Sequence, residues 1–335
     1  MPEIVILAIE SSCDDTSVAV CINGHVLSNI TANQKVHEQY GGVVPELASR
    51  EHTKNIIPVV DAAIKKAGIT KNEITAVAFT RGPGLMGSLL VGGIFAKSFA
   101  QALNVPLIDV NHMQAHVLAH FIDEPRPSFP FLCLTVSGGH TQIVFVKDYL
   151  DMEVIGTTID DAAGEAFDKT AKILNLPYPG GPLIDKYGQQ GNPFAYKFSE
   201  PNIDKLDFSF SGLKTNILYF IQKEVKSNTD FVNDNLNDIC ASVQHTIISI
   251  LMKKIKKAAD ESGIREIAIA GGVSANSELR KQLKVHGEKY KWNTYIPDFQ
   301  YCTDNAGMIA ITAFYKFLRG EFCSFDIPIL ARMNF

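Results

Sequence analysis

The chain lacks a CxxC pair, a basic leader, a low-complexity segment and any excess of positive charge, and each absence removes a class of protein. Its six cysteines, Cys13, Cys21, Cys133, Cys240, Cys302 and Cys323, are scattered singly. That argues against a disulfide framework and for a reducing, cytoplasmic setting. The start, Met1-Pro2-Glu3, has none of the basic residues of a secretory signal. No apolar stretch reaches the roughly 18 residues that a membrane span needs, so no membrane is expected. Net charge is −5, so any RNA partner has to be held by a local patch or by companion proteins. What is present is an ordinary enzyme composition, 46% hydrophobic and 20% charged over 335 residues, a length that suits two domains of roughly 150 residues each.

Apolar runs bounded by turns alternate with helical periodicity, which argues an α/β class. Ile4–Ile9 reads as a buried strand and Thr16–Ile22 as its hairpin partner. Helical patterns cover Leu47–Ala67 and Gly87–Leu103, with the strand Ala76–Thr80 between them, and Val105–Val110 is a short strand that ends at Asn111, a plausible helix N-cap. The Pro-rich stretch Glu124–Pro130 looks like a domain junction. Beyond it the opening pattern recurs: Phe131–Val136, a Ser137–His140 turn and Thr141–Val146 repeat strand, tight turn, strand. Two halves that each begin with such a hairpin suggest a duplication with a ligand gripped between them. A strand at Ile267–Ala270 leads through Gly271-Gly272 to a helix that includes Glu278–Leu283. The last helix is Ala306–Leu318, with Thr303 or Asp304 as its cap. No function attaches to the apolar tail 322–335.

His112 and His116, four residues apart, stand on one helix face, close enough to hold a divalent metal between them. The zinc-protease pattern has the same spacing but places Glu after the first His as general base. Here that place is Met113, whose thioether takes no proton, so the pair suits a Lewis acid in group transfer better than peptide cleavage. A His pair on a helix is as often an ordinary surface or core feature, and Asp304 on its own reads as an N-cap. His37, His52 and His245 have no partner at ligand spacing. Three glycine turns, Arg81–Gly87, Gly138-Gly139 and Gly271-Gly272, can expose backbone N–H groups to a phosphate and favour a nucleotide or adenylate ligand. In Asp160–Lys169, the residues Asp161, Glu165 and Asp168 fall at i, i+4 and i+7 of a helix face. That is commonly a solvated acidic face, but the rigid turn Pro177–Pro182 that follows can aim Asp185 at a ligand. The run Lys253–Lys257 closes an amphipathic helix with charges that suit its C-terminus.

Together these motifs resemble the TsaD family, also called Gcp, or Kae in archaea and eukaryotes: the tRNA threonylcarbamoyl transferases of the sugar kinase–Hsp–actin superfamily. The resemblance runs in order through Ile9–Thr16, Val44–Arg50, Arg81–Leu85, Asn111–His116, Val136–Gln142, Asp160–Lys169, Tyr178–Asp185, Phe208–Lys214, Gly271–Asn276 and Cys302–Gly307. Asp15 stands where many bacterial members carry Glu. The resemblance implies two ASKHA (actin-like ATPase, RNase H-like) domains with an interdomain ligand cleft, one of residues 1–130 with 302–335 and one of 131–301. It implies transfer of a threonylcarbamoyl group from threonylcarbamoyl-AMP to N6 of the adenosine 3′ to the anticodon, in tRNAs that read ANN codons. By similarity, His112, His116 and Asp304 hold one metal ion, Fe2+ or Zn2+. Thr135, Val136, Ser137, Gly138 and Gly139 contact the donor's phosphate and threonyl part; Asp168, Gly181, Asp185 and Asn276 hold the rest of the adenylate, or another adenine nucleotide. Asp14 and Asp15 are the catalytic candidates. Implied partners are tRNA, a TsaB-like paralogue and a TsaE-like ATPase. The alternatives are a metal-dependent peptidase, an older label of the family, an ASKHA-type ATPase or kinase, and a scaffold paralogue without catalysis.

Overall fold

The structure is a computed structural model that describes residues 3–201 and 203–335. The chain divides into two compact units: the residues up to Arg126 with Asp148–Met152 and Pro297–Phe335, and Pro127–Lys147 with Glu153–Ile296.

The first unit opens with β1 (Val5–Glu10), β2 (Thr16–Ile22) and β3 (His25–Ala32), followed by α1 (Pro45–Ala67), β4 (Ala76–Gly82), α2 (Met86–Leu103), β5 (Leu107–Asn111) and α3 (His112–Leu118). All six residues of β1 are buried, as an apolar run in the middle of a covered sheet requires. It pairs antiparallel with β2 and parallel with β4, and β4 runs parallel to β5, giving the order β3-β2-β1-β4-β5. Helix α1 begins on Pro45, whose fixed φ suits a first turn, and stops at Gly68 in the left-handed conformation, φ 72°. It packs on β2 and β3, and α2 packs on β4 and α1. One expectation is corrected here. Helix α2, at 18 residues, is long and apolar enough to cross a membrane. It buries Leu89, Gly92, Ala96 and Ala100, and its Lys97 donates to the Ile327 carbonyl at 2.5 Å.

The second unit holds β6 (Phe131–Val136), β7 (Thr141–Asp148), β8 (Asp151–Thr157), α4 (Ala163–Ile173), α5 (Gly181–Gly188), α6 (Ser211–Ser227), α7 (Phe231–Ser262), β9 (Glu266–Ala270), α8 (Ser277–Tyr290) and β10 (Asn293–Tyr295). Its sheet, ordered β8-β7-β6-β9-β10, repeats the topology of the first: β6 is antiparallel to β7 and parallel to β9, which is parallel to β10. The core lies between this sheet and the helices, around Leu132, Leu134, Phe167, Phe208, Ile247 and Leu251. The turn Asp148–Met152 groups with the first unit although its sequence neighbours belong to the second. Tyr149 stacks on Tyr315 with centroids 3.7 Å apart and meets Phe121 edge-on, and these rings tie it there.

Three readings change at this level. The expected acidic face is not one face, because α4 starts only at Ala163. Asp161 before it shares Lys169 with Glu165 at 2.8 Å each, and Asp168 points elsewhere. The run Lys253–Lys257 does not close its helix. Helix α7 continues to Ser262, and Lys253 pairs with Glu200 at 2.5 Å while Lys256 pairs with Asp260. The final helix, α9 (Ala306–Leu318), packs on β1, β2 and β3. Its cap is Asn305, whose side chain accepts from Met308 N at 3.0 Å, and neither Thr303 nor Asp304 takes that role.

Candidate metal centre

Strand β5 ends on Asn111, the N-cap of α3, whose Oδ1 accepts from Met113 N at 2.8 Å and Gln114 N at 3.2 Å. The cap starts the helix at His112 and sets His116 one turn on, with the two rings edge-to-face, centroids 4.7 Å apart. Both imidazoles are buried. Asp304 was unreachable by spacing, yet the fold brings it to the pair: its Oδ1 lies 3.4 Å from His112 Nε2 and 3.3 Å from His116 Nε2. Ligands about 2.05 Å from a tetrahedral ion stand about 3.3 Å apart, so both separations fit the edge of such a site. The three ligand atoms lie within 4.8 Å of one another.

Two further observations test the fit. His116 is 1% exposed, and among the described residues neither ring nitrogen makes a hydrogen bond, Nε2 meeting only the Asp304 carboxylate at 3.3 Å; so thinly satisfied a buried imidazole is costly and is what a metal would satisfy. His112, in contrast, is held from behind. Its Nδ1 lies 3.1 Å from Glu10 Oε2 and 3.2 Å from Ser12 Oγ, which leaves Nε2 facing Asp304. This is the outer carboxylate–histidine arrangement that fixes the tautomer of a ligating ring. Sequence reasoning missed Glu10. Its signal was a carboxylate closing an otherwise apolar buried strand. Glu10 is fully buried and accepts from Ser12 N at 2.6 Å and Thr80 Oγ1 at 2.5 Å.

The electrostatics favour a cation at this place. Burial would depress His112, but the Glu10 and Asp304 carboxylates outweigh it and raise the ring well above its usual value. Burial would likewise raise Asp304 and Glu10, yet His112 and His116 together hold Asp304, and His112 holds Glu10, below the usual carboxylate range. Burial pulls His116 down, which keeps it in the neutral, ligating form. Asp14 and Asp15 lie in the turn between β1 and β2, and Asp15 Oδ1 accepts from Asn33 Nδ2 at 2.8 Å. Burial, with Asp14 and Asp304 nearby, pushes Asp15 up to about 7. His52 and His37 are satisfied core histidines: His52 meets Thr16 Oγ1 at 2.8 Å and the Cys13 carbonyl at 3.0 Å, and His37 meets Gln34 Oε1 at 2.9 Å. None of the six cysteines forms a disulfide among the described residues.

The second unit carries a cavity of about 330 Å³ lined by Gly138, Gly164, Phe167, Asp168, Gly181, Asp185, Gly272 and Asn276, among others. Its polar side chains mostly brace loops. Asp168 Oδ1 accepts from Gly180 N at 2.9 Å and Gly181 N at 3.0 Å, and burial raises its carboxyl. Asp185 takes Ser277 N at 3.0 Å and Oγ at 2.6 Å. Asn276 caps α8 through Leu279 N and donates to Gln244 Oε1 at 2.8 Å. Some of the glycines have internal reasons. A Cβ on Gly164 would sit 2.5 Å from the Ser137 carbonyl, and one on Gly271, at φ 85°, 2.5 Å from that of Val136. Gly138, Gly139 and Gly272 have none, since a Cβ there would meet no atom within 4 Å. A bare backbone beside an open cavity is a place for a ligand to approach closely. Thr135 and Val136 are buried within β6. Ser137 closes the turn, its N donating to the His140 carbonyl at 2.8 Å.

Comparison with known proteins agrees with these features. A family model described as tRNA N6-adenosine threonylcarbamoyltransferase matches residues 25–311. A relative of that name from Christiangramia forsetii is 62% identical over 336 residues and 99% of each chain. One from Riemerella anatipestifer is 61% identical over 99% of this chain and 98% of its own. Among solved structures, full-length HypF in its phosphate- and nucleotide-bound form superposes with TM-score 0.63 at 13% identity, over 96% of this chain and 47% of HypF. Component A of the Acidaminococcus fermentans (R)-2-hydroxyglutaryl-CoA dehydratase gives 0.55 at 14% identity, over 94% and 98%. Those two distant likenesses speak to the fold alone, an actin-like pair of α/β units. The sequence matches go further: the chain belongs to the TsaD family, the tRNA N6-adenosine threonylcarbamoyltransferases.

Proposed function

We infer that this chain moves a threonylcarbamoyl group from threonylcarbamoyl-AMP to N6 of the adenosine 3′ to the anticodon in tRNAs that read ANN codons. The observation that carries the reading is the His112, His116 and Asp304 set, with both imidazoles buried and no hydrogen bond to either nitrogen of His116 among the described residues, in a chain of this family. A His, His, Asp donor set suits either Fe2+ or Zn2+. When bound, such an ion supplies Lewis acidity toward a carbonyl or a departing phosphate.

The chain's own residues then have separable tasks. Glu10 holds the proton on His112 Nδ1, so that Nε2 stays a lone-pair donor. Gly138 and Gly272 leave the cavity wall bare for the donor's phosphate, and Asp168, Gly181, Asp185 and Asn276 keep the loops in place around the adenylate. The amine attacks the carbamoyl carbon, the new C–N bond replaces the C–O bond to phosphate, and AMP departs with that oxygen. The adenine amine is a weak nucleophile, so positioning it is the main task. Asp15, poised near 7, accepts the N6 proton, with Asp14 beside it.

The peptidase alternative lacks a base: Met113, at the position where Glu stands in zinc proteases, is a buried core residue. A kinase-type site uses carboxylates and magnesium where this chain offers imidazoles. The net charge of −5 supports tRNA capture shared with companions, a TsaB-like paralogue and a TsaE-like ATPase. The exposed apolar row Met86, Leu90 and Ile94 on α2, with Ile57 on the adjoining α1, is a surface that a companion chain would cover. Six cysteines outside any disulfide support a cytoplasmic setting. The experiment combines the chain, its partners, unmodified tRNA and synthetic threonylcarbamoyl-AMP. The modified nucleoside forms with metal and fails to form after chelation; modification that survives full metal removal overturns the reading.

A further inference from the structure

The apolar segment 322–335, to which the sequence attached no role, is hydrogen-bonded along much of its length to the elements that present His112. Cys323 N donates to the Leu107 carbonyl at 2.9 Å. Lys97 Nζ and Arg81 Nε donate to the carbonyls of Ile327 and Pro328 at 2.5 and 3.0 Å. Leu330 N donates to the Arg81 carbonyl at 3.0 Å, and Gly84 N to the Ala331 carbonyl at 3.1 Å. Finally, Asn111 Nδ2 donates to the Asn334 carbonyl at 2.8 Å.

Two routes lead from these contacts to one ring. Along the first, the loop pinned by Ala331 continues to Leu85, whose N donates to the Ser12 carbonyl at 2.7 Å, and Ser12 Oγ lies 3.2 Å from His112 Nδ1. Along the second, the Asn334 carbonyl orients the amide of Asn111, whose other end caps α3 at its first turn. An amide bound at both ends cannot flip, so the cap and the start of α3 are fixed together. The backbone is shaped for this contact: a Cβ on Gly82 would lie 1.9 Å from the Leu330 carbonyl, so only glycine lets the segment approach β4 so closely.

We propose that residues 328–334 form a strap that positions His112 as a metal ligand, acting through the Asn111 amide and the Ser12 loop. The proposal rests on the metal reading above. No residue of the strap ligates; its contribution is the geometry of one imidazole. The strap reaches the centre first at His112, through both routes, and His116 follows only as the residue one turn on from the same cap.

The test is a Co2+ titration read by visible absorption, run beside thermal unfolding of the metal-free protein. A chain shortened to residue 332 and the variant Gly82→Ala, which wedges the strap outward, should bind Co2+ about tenfold or more weakly, with an altered d–d band. Asn111→Ser keeps a capping oxygen and loses the donor to Asn334, so it should show a smaller loss in the same direction. If the shortened chain or Gly82→Ala does not fold, Asn111→Ser carries the test. Unchanged Co2+ affinity and spectrum in the folded variants overturn the strap while leaving the metal centre standing. Failure of the unaltered chain to bind Co2+ more tightly than His116→Ala overturns the metal reading itself.

Discussion

The two units share one strand order and solve the problem of holding a ligand in opposite ways. In the first, β3-β2-β1-β4-β5 delivers side chains: Glu10 from the end of β1, Asn111 from the end of β5, the histidines one turn on, and Asp304 just before α9. In the second, β8-β7-β6-β9-β10 delivers bare backbone: Gly138 after β6 and Gly271-Gly272 after β9, around a cavity of about 330 Å³. Both use the carboxyl ends of their parallel strands, where open sheets place ligands. The difference teaches what each chemistry costs. A side-chain site has to bury ionisable groups and offset their desolvation with one another, whereas a backbone site needs only room.

The largest effect expected from this contrast is the loss of a ligand. His116→Ala should abolish stoichiometric metal binding and lower nucleoside formation on the order of 10³-fold, the several kcal/mol that a Lewis acid supplies. The cavity of the second unit should still bind the adenylate with near-normal affinity by calorimetry. Equal loss of both would show that the units are not separate devices. Next come paired changes in the glycines. Gly138→Ala, whose Cβ would meet no described protein atom within 4 Å, should leave the melting temperature nearly unchanged and weaken adenylate binding about 10- to 100-fold through lost charge-assisted hydrogen bonds. Gly164→Ala places a Cβ 2.5 Å from the Ser137 carbonyl and should instead destabilise the fold, by about 1–3 kcal/mol in denaturant titrations. A melting temperature that drops as far for the first as for the second would make both glycines structural.

The legibility of the two sites follows the same divide. Glycine turns and an i, i+4 histidine pair are local, so sequence displays them. Strands such as Thr16–Ile22 and Phe131–Val136, and the helix Ala306–Leu318, are found with the bounds that periodicity gives them. Asp304 joins the histidines only through the return of α9, a fact of topology that spacing cannot carry and that family resemblance alone supplied. Its freedom to ligate depends on Asn305 taking the cap, a one-residue choice that cap preferences do not resolve. Strands β3 and β8 went unread because their exposure along His25–Ala32 and Asp151–Thr157 follows no clean alternation. Glu10 was overlooked because a buried carboxylate gains meaning only from the ring it meets.

A smaller effect sharpens the account of the first unit. Glu10→Gln retains an oxygen that can accept from His112 Nδ1 and removes the charge behind it. Metal affinity should fall about tenfold, the lower end of what outer-shell changes cost. The same substitution should leave adenylate binding in the second unit untouched.

The smallest effect separates charge from function at Asp15. Its folded-state value is pushed up to about 7 by burial and by Asp14 and Asp304, against about 3.9 in an unfolded chain. The native state therefore binds this proton more tightly than the unfolded state. Its contribution to stability is complete below the unfolded value and is lost as pH rises through about 7. Asp15→Asn, uncharged throughout, escapes that loss. In chelated protein its melting temperature should match the parent near pH 4 and exceed it by a few degrees at pH 8. Nucleoside formation should move the other way: the parent's rate climbs through pH 7 as the carboxylate ionises, and the variant lacks the climb. A stability difference that stays flat from pH 4 to 8 would show that Asp15 is not strained by its neighbours, and a preserved climb would assign the proton to another group. The opposition of the two readouts is the mark of a charge kept for chemistry at the expense of the fold, which no glycine of the second unit can reproduce.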